Sequence, residues 1–154
     1  MTDLNKPGSE ERAIAQAEIR AICHRYAVMA RDKVDFKDME PLFRPDGLFR
    51  LPNGVAVKPS EISTVVQGEE AKYIRHHITS IDIHFTSDTE ARTKSQFFAA
   101  TNVTFTDHWG CWEDIFTRDE NGAWLIYDRS IVIDGYDPKG WYGEKYGGPS
   151  CLER

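Results

Sequence analysis

Apolar residues recur along this chain with two different periods. Between Ser9 and Ala30 they fall at Ile19, Ile22, Cys23, Tyr26 and Ala30, three and four apart, the spacing of one buried stripe on an α-helix. Ser9 followed by Glu10 and Glu11 supplies a cap and two acids at the positive end of the helix dipole, so the helix starts there. Residues 36–43 (FKDMEPLF) read as a second short helix that Pro41 interrupts, and Arg-Pro-Asp-Gly at 44–47 reads as a turn. Beyond it the period shortens. Residues 48–51 and 55–57 form a small hairpin through Pro52-Asn53-Gly54, and Pro59 opens a short helix over 60–66. Strand-like runs follow at 76–86, about 90–106, 109–118 and 123–133, the last after a turn at Asp119-Glu120-Asn121-Gly122. Helices first and antiparallel strands afterwards predict an α+β domain over residues 9–133, a curved sheet wrapped on helices. Residues 1–8 read as a disordered lead, and 134–154, rich in Gly, Pro and aromatics, as an irregular arm.

Composition narrows the function classes. A chain of 154 residues fits one domain that buries roughly two thirds of its unfolded surface. The formal net charge is -6 and no window is dense in Lys or Arg, which excludes the electrostatic footprint of a nucleic-acid binder. Cys23, Cys111 and Cys151 lack C-x-x-C spacing, fitting neither a disulfide framework nor a zinc site. The N-terminus has no apolar signal region and no run approaches a membrane span, so a cytoplasmic protein is expected. Aromatics make up 12% of the chain, more rings than a small core requires, and they suggest an aromatic or alicyclic ligand.

Few residues offer chemistry. Asp32 follows the first helix and reads either as a solvated loop acid or cap, or as a carboxylate at the open end of the helix layer. His76 and His77 open a strand, so one faces the sheet interior and the other faces out. An inward histidine is either a satisfied core residue or a general base whose tautomer a carboxylate fixes. Tyr26 supplies a hydroxyl or only packing. On the strand 109–118, Trp112, Asp114 and Phe116 share one face and Cys111, Glu113 and Ile115 the other. Arg129, flanked by Tyr127 and Ile131 on its face, needs a partner if buried, and a structural salt bridge is the preferred reading. His76, His77, His84 and His108 have no metal-ligand spacing, and there is neither a G-x-S-x-G elbow nor a Gly-rich phosphate loop. No metal and no cofactor is expected.

Taken together, Tyr26-Ala27, Asp32-Lys33-Val34-Asp35-Phe36, Leu42-Phe43-x-x-Asp46-Gly47, His76-His77-Ile78-Thr79, Gly110-Cys111-Trp112-Glu113-Asp114 and Gly122-Ala123-Trp124 with Arg129 form a series. Over residues 12–133 this series resembles the SnoaL-like family of the nuclear-transport-factor-2-like superfamily, which includes scytalone dehydratase, hexachlorocyclohexane dehydrochlorinase, ketosteroid isomerase and polyketide cyclases. The resemblance implies a cone-shaped α+β barrel, with N-terminal helices packed in a strongly curved mixed or antiparallel sheet. It also implies an Asp/His pair at Asp32 and His76, Tyr26 as a third catalytic group, and cofactor-free elimination in which the histidine takes a proton from carbon. Phe43, Phe49, Phe98, Thr101, Trp112 and Asp114 are the expected ligand-binding residues. Thr101 falls near the second active-site histidine of the dehydratases and cannot replace it in acid/base work. Family members self-associate through the open sheet face, so a homodimer, or a trimer through the C-terminal arm, is expected.

Three readings follow: a lyase or isomerase acting on a small hydrophobic cyclic molecule through His76 and Asp32; a ligand-binding module using the same pocket without turnover; and a polyketide cyclase or epoxide-hydrolase-like enzyme using Asp114 or Glu113.

Overall fold

The computed structural model describes residue 6 and residues 9–30, 36–65 and 71–147. Helix α1 (Glu10–Met29) begins as its sequence dictates: Ser9 is extended and its hydroxyl accepts from the Arg12 backbone N–H at 3.2 Å. Its buried residues, Ala15, Ile19, Cys23, Tyr26 and Ala27, follow the predicted stripe. Residues Phe36–Leu42 form a 3-10 helix rather than an α-helix. Pro41 accounts for that, since it has no N–H to donate and its ring collides with the carbonyl one α-helical turn back.

Six strands make one sheet: β1 (Phe43–Arg50), β2 (Ala56–Val57), β3 (Ile74–Phe85), β4 (Glu90–Thr101), β5 (His108–Arg118) and β6 (Trp124–Tyr136). Their order is β2-β1-β6-β5-β4-β3, antiparallel except for the parallel pair of β1 with β6. Strands β2 and β3 are its two edges, so the sheet is a curved, open cone and not a closed barrel. The hairpin expected at 52–54 is present, with Gly54 at φ 86° where a side chain would be strained. A 3-10 turn (Pro59–Glu61) then leads into the one-turn helix α2 (Ile62–Val65).

Three expectations change. The turn at 44–47 is an excursion inside β1, which pairs with β6 at Phe43 and again at Leu48. Strand β4 stops at Thr101 instead of running to 106, because the Thr101 hydroxyl accepts the backbone N–H groups of Val103 and Thr104 at 3.1 and 3.3 Å and turns the chain. The C-terminal arm is not irregular throughout: β6 continues to Tyr136 and Trp141–Tyr146 form helix α3.

The core lies between α1 and the concave face of the sheet. Ile19, Met39, Phe116 and Ile126 are fully buried there, with Phe85 and Trp124 meeting edge to face at 5.8 Å. Fully burying one such side chain stabilises the fold by about 1.5–3 kcal/mol. No helix among the described residues is long and apolar enough to cross a membrane.

Candidate active site

Alternation along the strands decides what faces the cone. Cross-strand pairing sets His76 opposite Ala99 and Ala99 opposite His108, and side chains two apart then share the concave face: His76 and Ile78, Phe97 and Ala99, His108, Trp112 and Asp114. His77 faces outward, its ring stacked on Phe98 with centroids 4.8 Å apart. Of these, His76, Phe97, His108 and Trp112 line a cavity of about 470 Å³, with Tyr26 on its helix side and Phe97 and Trp112 stacked at 5.0 Å in its wall. Phe49, Ile131 and Ile133 complete its apolar lining. Exposed lining residues, Asn53, Lys145 and Tyr146, mark its opening.

Two histidines enter this cavity. The His76 ring lies 5.1 Å from Phe97, 5.4 Å from Trp112 and 5.9 Å from His108, centroid to centroid. Its Nδ1 is buried and has no hydrogen-bond partner among the described residues. Desolvation first, and then His108 and Arg129 nearby, push its pKa down to about 3, so the imidazole is neutral at ordinary pH. His108 is differently placed. Its Nδ1 lies 2.9 Å from Oδ1 of the buried Asp107, and because a carboxylate only accepts, Nδ1 carries the hydrogen and Nε2 is left with its lone pair.

Beneath the cavity sits a buried ion pair. Arg129 donates from Nε and Nη2 to the two oxygens of Asp114 at 2.8 and 2.7 Å. Burial works against the Arg129 charge, but the Asp114 carboxylate outweighs it and the guanidinium pKa is raised. The guanidinium lies 4.0 Å from the Tyr26 ring centroid and 4.6 Å from that of Trp112, so the cation is roofed by two rings of the cavity wall. Tyr26 is buried, and desolvation raises its pKa. Its hydroxyl therefore stays protonated.

Of the residues singled out in the sequence, Tyr26, His76, Phe49 and Trp112 line one cavity. Asp32 lies outside the described residues. Phe43 is buried beyond the cavity, edge-on to Tyr26 at 6.3 Å and to Phe49 at 6.1 Å. Phe98 is on the opposite face of β4, a consequence of strand parity. Thr101 is spent on structure, its hydroxyl donating to Oδ2 of Asp107 at 2.9 Å. Asp114 does face inward, but both its oxygens are committed to Arg129. Glu113 faces outward and pairs with Lys94 at 3.1 Å. Tyr127 does not share the Arg129 face: the register shifts between Ile115 and Phe116 leave it at a bulge, 40% exposed.

Sequence reasoning missed Asp107 and His108, having weighed His108 only as a metal ligand. Parity held the signal: counting back by twos from Trp112 puts position 108 on the inward face. Among the described residues no three His, Cys, Asp or Glu side chains are grouped to hold a metal ion.

Solved structures share this architecture at low identity. A protein from Novosphingobium aromaticivorans named as a scytalone dehydratase superimposes with a TM-score of 0.68 at 18% identity, over 80% of this chain and 87% of that one. The hexachlorocyclohexane dehydrochlorinase LinA-type3 from Novosphingobium barchaimii gives 0.71 at 12% identity, over 82% and 91%. ActVI-ORFA from Streptomyces coelicolor gives 0.63 at 21% identity, over 78% and 97%. No curated protein sequence matches the chain. The SnoaL-like domain profile matches residues 11–130, and with the open α+β cone these residues build, the chain belongs to the SnoaL-like family.

Proposed function

We propose that the protein is a lyase-type enzyme that needs no cofactor and acts on a small hydrophobic cyclic molecule by histidine-mediated proton abstraction. The observation that carries this reading is the pair of histidines, His76 and His108, facing one ring-lined cavity with their centroids 5.9 Å apart. That spacing lets one imidazole take a proton from carbon while the other attends the group leaving the neighbouring carbon. His76 is the base. Its orphaned Nδ1 is the atom that the role implied for Asp32 answers: a carboxylate there would orient the ring and stabilise the imidazolium formed on proton transfer. His108, its Nδ1–H held by Asp107, takes up a proton on Nε2 from solvent as substrate binds, and then gives that proton to the departing oxygen or hydrogen-bonds a departing halide with it. The C–H bond breaks, the carbon–carbon double bond forms from its electrons, and the bond to the leaving group breaks. Protons balance between the two imidazoles, with no redox change. Names of the structural neighbours, a dehydratase and a dehydrochlorinase, support the same class.

A second assignment exchanges the roles. Asp107 gives His108 a carboxylate partner in the structure as it stands, whereas His76 has none among the described residues.

One experiment tests both. Cyclic ketones bearing a β-hydroxyl or β-halogen are incubated with the protein in deuterated water, following C–H exchange by NMR and conjugated alkene by absorbance. Catalysed exchange that His76→Gln abolishes, with elimination also lost in His108→Gln, supports the first assignment; exchange lost only in His108→Gln supports the second. Catalysis that survives loss of both histidines overturns the proposal.

A further inference from the structure

Asp107 belongs to two structures at once. It precedes β5 by one residue, its side chain is fully buried, and four donors surround its carboxylate. Oδ1 accepts from His108 Nδ1 at 2.9 Å and from the Tyr142 backbone N–H at 3.0 Å; Oδ2 accepts from the Thr101 hydroxyl at 2.9 Å and from the Trp141 backbone N–H at 2.6 Å. Burial works to raise its pKa, yet the donors, His108 first, hold it below the usual carboxylate range. It is ionised.

Two of those donors are the first backbone N–H groups of α3. The residue at the helix's own N-cap is Gly140, which has no side chain to cap them. Asp107 is therefore the cap, supplied from the residue just before β5. The missing side chain is also what admits it, since a Cβ on Gly140 would sit 2.8 Å from Oδ2. Backbone ties reinforce the joint: the Asp137 N–H donates to the Asp107 carbonyl at 2.7 Å, and the Gly140 N–H to the Asp137 carbonyl at 2.9 Å. Helix α3 in turn brings Trp141, Tyr142, Lys145 and Tyr146 to the cavity, and the Tyr142 ring lies 4.9 Å from His108.

We propose that Asp107 is a positioning residue that makes the docking of α3 onto the cavity and the Nδ1–H tautomer of His108 a single event. Each carboxylate oxygen serves one partner on each side: Oδ1 joins His108 to Tyr142, and Oδ2 joins Thr101 to Trp141. Release of α3 removes two of the four donors that hold the carboxylate against His108, and an altered His108 removes a bond that orients the oxygen capping Tyr142. Coupling of this kind is reciprocal. The inference rests on the reading of His108 as a working group of the site, and its test is made on the resting protein without substrate.

The test combines nitrogen-15 NMR of the His108 ring with hydrogen exchange at the Trp141 and Tyr142 amides, in the native chain, Asp107→Asn and Gly140→Ala. An asparagine must point its NH2 at one of the two backbone N–H groups, so α3 loses a bond whichever way the amide turns. In Asp107→Asn the acceptor loses its charge, so the His108 Nδ1 signal should shift, and amide exchange at Trp141 and Tyr142 should be at least about tenfold faster. Gly140→Ala keeps the carboxylate and pushes on it from the helix side; there too both signals should move. Should Asp107→Asn fail to fold, Gly140→Ala decides alone. Faster amide exchange with an unchanged His108 spectrum in either variant would make Asp107 a plain helix cap and overturn the proposal. Linked signals in a protein without elimination activity would instead retain the coupling and remove the functional reading.

Discussion

Arg129 and Asp114 meet as a bidentate pair in which neither side chain is exposed. The pair lies behind the cavity wall, with the Tyr26 and Trp112 rings against the cation. Removing one partner leaves the other charge buried alone. Asp114→Ala should therefore cost about 3–5 kcal/mol, measured by urea unfolding, whereas Asp114→Leu with Arg129→Met should recover most of the loss. A cost below about 1 kcal/mol for the single variant would mean that solvent reaches the pair.

His76 links stability to acid. Its folded pKa, about 3, lies below the ordinary value of 6.5, so between these limits the unfolded chain binds the extra proton. This group's contribution is whole above pH 6.5 and declines as the pH falls through the window, with a limiting slope of about 1.4 kcal/mol per pH unit for one proton. His76→Gln should flatten that part of the stability profile. Denaturation series at intervals from pH 3 to 7 check it, and identical profiles for the two proteins would contradict the burial of Nδ1.

Cys23 and Cys111 are both buried, and desolvation raises the pKa of each. The Cys23 thiol is near the Ser95 hydroxyl, at 3.8 Å, on the helix stripe that faces the sheet. Native protein treated with iodoacetamide at pH 8 should label these two positions at least about tenfold more slowly than unfolded protein, as mapped by mass spectrometry.

Trp112 touches three groups of the cavity: it stacks on Phe97, meets Tyr26 edge-on at 4.9 Å and tilts against His76. Trp112→Ala should cost about 3–5 kcal/mol, while Trp112→Phe should cost less and leave the His76 ring free to reorient. The distinction is read from unfolding midpoints together with line broadening of the His76 ring signals.

Local patterns were legible in the sequence wherever one residue's surroundings are its chain neighbours. The helix stripe from Ile19 to Tyr26, the hairpin at Gly54 and the strand periods follow from spacing and turn chemistry alone. What eluded sequence reasoning depends on partners distant along the chain. Helix α3 is short, contains Gly143 and has no side-chain cap of its own, and its first two N–H groups are met by Asp107, more than thirty residues earlier. The same dependence hid His108: an acid beside a histidine in a loop is unremarkable until Thr101 and the α3 backbone fix where its oxygens point. Phe98 was misplaced because a count of rings carries no parity, although the pairing His77 with Phe98 puts both on the far side of the sheet.

The cavity's walls and its opening are made of different kinds of structure. Strands hold the histidines, so a substitution there disturbs a ladder of backbone pairs. Lys145 and Tyr146, on the last turn of α3, border the opening from outside the sheet, as does Asn53, whose Oδ1 accepts from the Val55 N–H at 3.0 Å in the hairpin turn. Substitutions at Lys145 and Tyr146 that keep Gly140 and the two amides after it would alter the entrance and leave the strand-borne histidines in place. The border of that freedom runs between Tyr142 and Lys145.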